Sequence, residues 1–140
     1  EFVLGARSKD HLLYLDRIRA LPKTKLHVAT DDGSEGFKGF NVGLLRELIS
    51  KGLKIDRIMT VGPERMMKAV SDLALEFDIP CQVSVERYIK CGFGICGQCA
   101  LDDKGTPTCL EGPVMDHLKA REHSEFGQYH RDKLGRKHPF

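Results

Sequence analysis

Four of the five cysteines of this 140-residue chain lie close together in the order C-x4-C-x2-C-x9-C, namely Cys91, Cys96, Cys99 and Cys109. Three thiols from one short loop with a more distant fourth are the plant-type ferredoxin arrangement, which holds a [2Fe–2S] cluster. A structural zinc site more commonly pairs two short cysteine knuckles. We therefore predict an iron–sulfur site, with a zinc-stapled interaction module as the alternative of a different class.

The loop between these cysteines is rich in glycine, because Gly92, Gly94 and Gly97 alternate with the thiols. Glycine accepts backbone angles that let main-chain N–H groups point at negatively charged sulfur. This composition favours iron–sulfur over zinc. The fifth cysteine, Cys81, follows Pro80 and precedes an apolar run, so we interpret it as an ordinary buried residue.

Two turns that follow apolar runs are candidates for nucleotide contacts. The carboxylates of the first turn could accept hydrogen bonds from ribose hydroxyls, and the second turn opens a helix whose N–H groups could face a ligand. From spacing alone a solvated Gly-rich loop is the simpler interpretation of the first turn, and the chain has no G-x-G-x-x-G or P-loop motif. The candidate residues are Asp31, Asp32, Gly33 and Ser34 in the first turn, and Gly62 and Pro63 in the second.

Strands and helices must position these turns. Hydrophobic periodicity predicts strands at 2–6, 26–30, 55–61 and 82–85, and amphipathic helices near 12–18, 42–49 and 66–77. Alternation of this kind is typical of a parallel sheet with crossover helices, in which ligands bind at the carboxyl ends of the strands.

The periodicity ends at the cysteines. A short hairpin is predicted there, with 100–101 and 108–110 flanking a turn at 102–105. We expect 117–140, which is rich in basic residues and histidine, to be an extended tail that lies on a partner or is partly mobile. The predicted fold class is α/β, with an incomplete parallel nucleotide-binding sheet and crossover helices, then a small [2Fe–2S] hairpin module and a C-terminal tail. The predicted domains are 1–88, 89–116 and 117–140.

Composition sets limits on the class of protein. A hydrophobic content of 41% with 30% charged residues argues against disorder over the whole length. The formal charge of +2 is too small to argue for nucleic acid or a membrane surface. No apolar stretch approaches the roughly 20 residues that span a bilayer. We expect a soluble, cytoplasmic protein without nucleic-acid or membrane partners.

Taken together, these motifs resemble the iron–sulfur electron-transfer subunit of two-flavin, NAD-linked dihydroorotate dehydrogenases, a branch of the ferredoxin-NADP reductase superfamily. The resemblance covers almost the whole chain. It rests on the segment 5–10, a TDDGSxGxKG loop at 30–39, a GPxxM turn at 62–66 and the cysteine segment with Glu-Gly-Pro-Val at 111–114.

The resemblance implies the cofactors and the partner. In the family, a catalytic subunit oxidises dihydroorotate with FMN, and electrons pass through the [2Fe–2S] cluster to FAD and then to NAD. The FAD is bound by a β-barrel that precedes the nucleotide domain and is not among these 140 residues. We therefore expect a hetero-oligomer in pyrimidine biosynthesis, an isolated fragment that is inactive, and no catalytic acid or base in this chain.

Two further expectations follow from the resemblance. NADP-using reductases of the superfamily carry Ser and Arg where this chain has Asp31 and Asp32, so we expect NAD to be preferred. The alternative enzyme is the small subunit of a sulfide dehydrogenase or of an electron-bifurcating ferredoxin-NADP reductase complex, which the sequence separates poorly from the first assignment.

Overall fold

The first sheet is built from strands that all run in the same direction. The computed structural model describes residues 1–140, which divide into two units, Glu1–Lys54 and Ile55–Phe140. In the first unit the strand order is β1-β2-β3, and both pairings are parallel. Its elements are β1 (Phe2–Ala6), a 3₁₀ turn (Lys9–His11), α1 (Leu15–Arg19), β2 (Leu26–Thr30), β3 (Phe37–Lys38) and α2 (Asn41–Ser50).

The second unit carries the cysteines. Its elements are β4 (Ile58–Thr60), α3 (Glu64–Glu76), β5 (Cys81–Ser84), β6 (Ala100–Leu101), β7 (Thr106–Pro107), α4 (Thr108–Glu111), β8 (Val114–Asp116), α5 (His117–Arg121), β9 (Tyr129–Arg131) and β10 (Lys137–Pro139). The main sheet has the order β4-β5-β8, in which β4 is parallel and β8 is antiparallel to β5. Two small hairpins pair β6 with β7 and β9 with β10.

The core of the second unit lies between α3 and its sheet. Met67, Val70 and Leu73 recur at helical spacing on α3 and are buried, and Val83 at the centre of β5 is fully buried. An apolar stripe of this kind gains most of its stability by facing a sheet. The predicted α/β class with parallel strands and crossover helices is therefore confirmed.

The predicted hairpin after the cysteines forms, but its second strand is earlier and shorter. Ala100 pairs with Pro107 and Leu101 with Thr106, while 108–110, predicted as strand, begin the helical turn α4. The helix expected near 12–18 is also shorter, because Tyr14 has a left-handed backbone and α1 starts only after it.

The prediction of an extended tail at 117–140 is wrong. This segment contains α5 and the hairpin β9–β10, and its Glu125 and Phe126 are 1% and 4% exposed. Asp116 caps α5 by accepting a hydrogen bond from the Leu118 amide at 2.8 Å. The high charge of the segment predicts exposure to solvent, but several of its charged side chains form ion pairs, and Glu125 does so in the interior with Arg87. No helix of the chain is long and apolar enough to cross a membrane.

Candidate iron–sulfur site and nucleotide turns

The β6–β7 hairpin brings the fourth cysteine back to the third. The amide and the hydroxyl of the fully buried Thr108 both donate to the Cys99 carbonyl oxygen, at 3.1 and 2.7 Å. The next amide, that of Cys109, donates to the Cys99 sulfur at 3.4 Å. Two cysteines that are separated by nine intervening residues are therefore in direct contact.

The cysteine loop directs backbone N–H groups at a thiol. The pKa of Cys91 is lowered to about 6, mainly by hydrogen bonds from the backbone of Phe93 and Cys96, and also by the Cys96 side chain. The same loop has left-handed backbone conformations at Gly92, Gly94 and Gly97, whose φ angles are 79°, 80° and 68°. Donors of this kind stabilise a thiolate, which is the form that binds metal.

The other three thiols differ in exposure, because Cys99 is buried, Cys109 is half-buried and Cys96 is exposed. Cys99 is buried, and burial is the main reason that the pKa of Cys109 is raised, with the neighbouring Cys99 and Cys91 adding to it. The four thiols thus lie in one neighbourhood, although no three His, Cys, Asp or Glu side chains are arranged as a closed ligand set for a single metal ion. Four soft sulfur donors with N–H groups directed at them fit an iron–sulfur cluster chemically.

The surface beside the thiols is apolar. Phe93, Ile95 and Leu110 are 65%, 77% and 60% exposed, and Cys96 itself is exposed. Cys81 is separate from this group: it is 1% exposed, and burial raises the pKa of its thiol to about 11. The predicted burial of Cys81 is therefore confirmed.

In the first unit, the two aspartates after β2 have different surroundings. Asp32 accepts hydrogen bonds from the amide and the hydroxyl of Ser34, at 2.9 and 2.6 Å, and these lower the pKa of Asp32. Ser34 in turn accepts a hydrogen bond from the Lys9 amide at 2.8 Å. Asp31 is exposed and its carboxylate makes no hydrogen bond within the chain. Asp32 therefore holds the turn, and Asp31 is free to meet a ligand.

This turn lies at the carboxyl edge of two parallel strands. The Asp31 amide donates to Ala6 and the Asp32 amide to Arg7, so the ends of β1 and β2 are tied together. Gly33 takes a left-handed conformation in the turn, with a φ of 79°. The edge is where parallel α/β sheets bind ligands.

In the second unit, the other turn borders a cavity. Gly62 and Pro63 follow β4, and Pro63 immediately precedes α3. The cavity next to them has a volume of about 770 Å³. Its walls include the apolar or aromatic side chains of Val85, Tyr88 and Phe140 and the charged side chains of Glu64 and Arg87.

A buried ion network beside this cavity was missed by sequence reasoning. Arg87 pairs with Glu64 and Glu125, and the three side chains are 4%, 5% and 1% exposed. Glu64 and Arg87 carry no local mark in the sequence, because each stands beside another charged residue. The signal that was available is that Glu125 sits next to the apolar Phe126 in an otherwise polar segment.

Comparison with known proteins defines the class first. Residues 86–119 match the model of the iron-sulfur cluster binding domain of dihydroorotate dehydrogenase B. Among solved structures, a chain described as an NADH-dependent reduced ferredoxin-NADP oxidoreductase, studied for flavin-based electron bifurcation, superimposes with a TM-score of 0.66 and 32% identity. That match covers 89% of this chain and 43% of the other. In fold the chain thus resembles a reductase structure, and its cysteine segment resembles an iron–sulfur cluster binding domain.

The particular resemblance is to the electron transfer subunits of dihydroorotate dehydrogenase B. The protein of Methanocaldococcus jannaschii with the name "probable dihydroorotate dehydrogenase B (NAD(+)), electron transfer subunit" is 51% identical over 96% of this chain and 51% of its own length. A protein of the same name from Methanothermobacter thermautotrophicus is 44% identical over 99% of this chain and 50% of its own. The expected resemblance is confirmed, and the chain spans about half the length of these relatives.

Proposed function

We propose that this chain is the nucleotide-binding and iron–sulfur part of an electron-transfer subunit that connects a dihydroorotate-oxidising flavoprotein with NAD. The observation that carries the proposal is the cysteine segment, in which four neighbouring thiols coincide with the match to an iron–sulfur binding domain. The similarity to named electron transfer subunits over almost the whole chain supports it.

In this proposal Cys91, Cys96, Cys99 and Cys109 hold a [2Fe–2S] cluster. Such a cluster supplies one-electron chemistry, so it can connect two flavins that each exchange two electrons. The chain's own contribution is to present four thiols, to stabilise their negative charge with hydrogen bonds from backbone N–H groups, and to keep one side of the loop exposed to a partner. No proton transfer is assigned to any residue.

The nucleotide contacts in this proposal are Asp31, Gly33, Gly62 and Pro63, with Asp32 and Ser34 shaping the first turn. A free carboxylate at Asp31 can accept a hydrogen bond from a ribose 2′-hydroxyl and would repel a 2′-phosphate. NAD is therefore the nucleotide that this chain favours over NADP.

The proposal places FAD and the catalytic partner outside these residues. FAD is bound by a barrel domain of the longer subunit, and FMN by a separate dihydroorotate dehydrogenase subunit, which gives a hetero-oligomer. Within the chain, residues 1–88 serve the nucleotide, 89–116 hold the cluster, and 117–140 form the folded segment packed in the second unit. The 140 residues alone are then expected not to oxidise NADH.

The test is anaerobic reduction of the longer subunit that contains this chain. Adding NADH should bleach the visible absorption of the cluster, and adding dihydroorotate should do so only when the FMN-containing subunit is present. Bleaching by NADH without any effect of dihydroorotate would show that the subunit works with a partner other than a dihydroorotate-oxidising one. Absence of bleaching by either reductant would overturn the electron-transfer proposal.

A second candidate is a subunit of a ferredoxin-NADP reductase complex. One observation favours it: the matching solved structure is described as an NADH-dependent reduced ferredoxin-NADP oxidoreductase. Oxidation of reduced ferredoxin by the complex, with no response to dihydroorotate, would select this candidate.

A further inference from the structure

The guanidinium of Arg87 uses all three of its nitrogens inside the second unit. Nη1 and Nη2 donate to the two oxygens of Glu64 at 2.7 and 3.1 Å, and Nε donates to Glu125 at 2.5 Å. Nη1 also donates to the backbone carbonyl of Glu86 at 2.5 Å. This geometry is specific to arginine, because a lysine ammonium cannot form a planar fork.

Each carboxylate of this triad also accepts a backbone N–H from another part of the chain. Glu64 accepts the Gly127 amide at 3.1 Å, and the second oxygen of Glu125 accepts the Asp102 amide at 3.0 Å. Both carboxylates are nearly inaccessible to water, so protein groups replace their hydration.

These contacts hold both ends of the cysteine loop. Arg87 lies four residues before Cys91, and Asp102 lies three residues after Cys99. The triad thus connects the segment that enters the loop with the turn that follows β6. Glu64 is the first residue of α3, directly after Gly62 and Pro63, so the same triad also reaches the second candidate nucleotide turn.

We propose that the Arg87–Glu64–Glu125 triad is a positioning device that fixes the span of the three-cysteine loop and ties the loop to the Gly62–Pro63 turn. The proposal rests on the proposed function, because it takes the cysteine loop as the cluster ligand loop. The three residues act through the backbone that they hold and touch none of the thiols.

A purely stabilising role explains the triad less well. Burying ionised groups costs desolvation, and apolar residues of similar volume are often as stable or more stable in such places. A buried ion triad in which every charged atom has a partner permits one arrangement of the backbone and penalises others. That property is useful where four thiols must match a rigid cluster. Removing a group that hydrogen-bonds a metal ligand typically weakens metal affinity by about 10- to 100-fold. The triad acts one step further out, through the backbone, so an effect at the lower end of this range is expected.

The experiment uses the longer cluster-containing subunit, purified anaerobically, with Arg87→Lys and Glu125→Gln. Both substitutions keep the approximate size of the side chain. Arg87→Lys removes the planar guanidinium fork, and Glu125→Gln removes one negative charge. Glu122→Gln is the matched control, because Glu122 makes an exposed ion pair with Lys104 only three residues from Glu125. The readouts are the rate of iron loss to a chelator, the EPR spectrum of the reduced cluster and its reduction potential.

We expect folded Arg87→Lys and Glu125→Gln proteins to lose iron about tenfold faster and to show an altered EPR spectrum, while Glu122→Gln matches the unaltered protein. If both variants are folded by circular dichroism and keep the original EPR spectrum and iron-loss rate, the inference is overturned. Lower thermal stability with an unchanged spectrum also overturns it, because that is the result of a structural role alone.

Two further outcomes distinguish failure of the triad's positioning role from failure of the proposed function. If the unaltered subunit contains no cluster, the proposed function fails before any variant is compared. If the variants do not fold, amide hydrogen exchange in the unaltered protein decides. Exchange at Asp102 and Gly127 should be slower with the cluster than without it, and equal exchange rates overturn the inference.

Discussion

Arg87 and Glu64 form a two-pronged ion pair in the interior of the second unit, with Nη1–Oε2 and Nη2–Oε1 distances of 2.7 and 3.1 Å. The pair joins the segment that leads into the cysteine loop to the first turn of α3. Burial opposes the charge of Arg87, but the two carboxylates outweigh it and raise the pKa of Arg87 above its usual value. The buried guanidinium therefore stays charged.

Replacing Arg87 with Met should destabilise the protein strongly, because two buried carboxylates would lose their counter-ion. Breaking a buried pair on one side typically costs about 3 to 5 kcal/mol. The free energy of unfolding in urea, followed by circular dichroism, measures the loss. Lys104→Met, which breaks an exposed pair, should change little. Equal losses in the two variants would contradict the account of the triad.

Substituting Asp31 and Asp32 one at a time in the longer subunit should have different effects on nucleotide binding. Asp31→Ser should lower the preference for NADH over NADPH in kcat/KM by about fivefold or more, since the repulsion of a 2′-phosphate is removed. Asp32→Ala should instead loosen the turn held by Ser34 and weaken both nucleotides to a similar extent. A preference that changes only in the Asp32 variant would show that the roles are reversed.

Gly36 and Gly52 offer a matched test of the first turn. Both have positive φ angles, 68° and 92°, so alanine at either position carries a conformational cost of about 1 to 2 kcal/mol. A Cβ on Gly36 would lie 2.2 Å from the Val28 carbonyl oxygen, whereas a Cβ on Gly52 meets nothing within 4 Å. Gly36→Ala should therefore reduce unfolding stability and NADH affinity clearly more than Gly52→Ala. Indistinguishable variants would mean that the loop can move away from β2.

Asp102 should make part of the free energy of unfolding depend on pH in the acid range. The Arg131 side chain, and then Tyr129, hold the pKa of Asp102 well below its usual range. Because the pKa of Asp102 is lowered in the folded protein, its contribution to the free energy of unfolding is complete above the unfolded-state pKa of about 3.9. This contribution is lost as the pH falls towards the pKa of the folded state. Urea midpoints measured from neutral pH downwards should show the loss.

The Asp102→Asn variant provides the comparison for that titration. It should be less stable than the unaltered protein at neutral pH and should lose less on acidification, because the titrating group is gone. Asp56→Asn, at an exposed position, serves as the control. Parallel acid profiles for the unaltered and Asp102→Asn proteins would assign the acid sensitivity to other carboxylates.

The sequence predicted those parts of the fold that depend on local periodicity. β1 and β2 are found at the predicted residues, and the helices near 42–49 and 66–77 form with their apolar faces inward. The cysteine spacing predicts a common site for the four thiols, and the Cys109 amide donates to the Cys99 sulfur. These features follow from patterns within about 20 residues of sequence.

The sequence did not predict the features that depend on distant partners. Residues 117–140 looked solvated because of their charge, yet Glu125 is buried through Arg87, which lies 38 residues away. A charged residue is buried only when its partner is supplied by the fold, and periodicity does not show such pairs. The different roles of Asp31 and Asp32 were hidden for a similar reason, since they depend on which carboxylate Ser34 reaches.

The most direct test of the central claim is elemental and spectroscopic analysis of the anaerobically purified longer subunit. The account predicts about two iron atoms and two acid-labile sulfides per chain, visible absorption, and an EPR signal on reduction. Cys99→Ala should abolish all of these, while Cys81→Ala should retain them. Stoichiometric zinc in a colourless protein, or loss of iron in Cys81→Ala with retention in Cys99→Ala, would contradict the account.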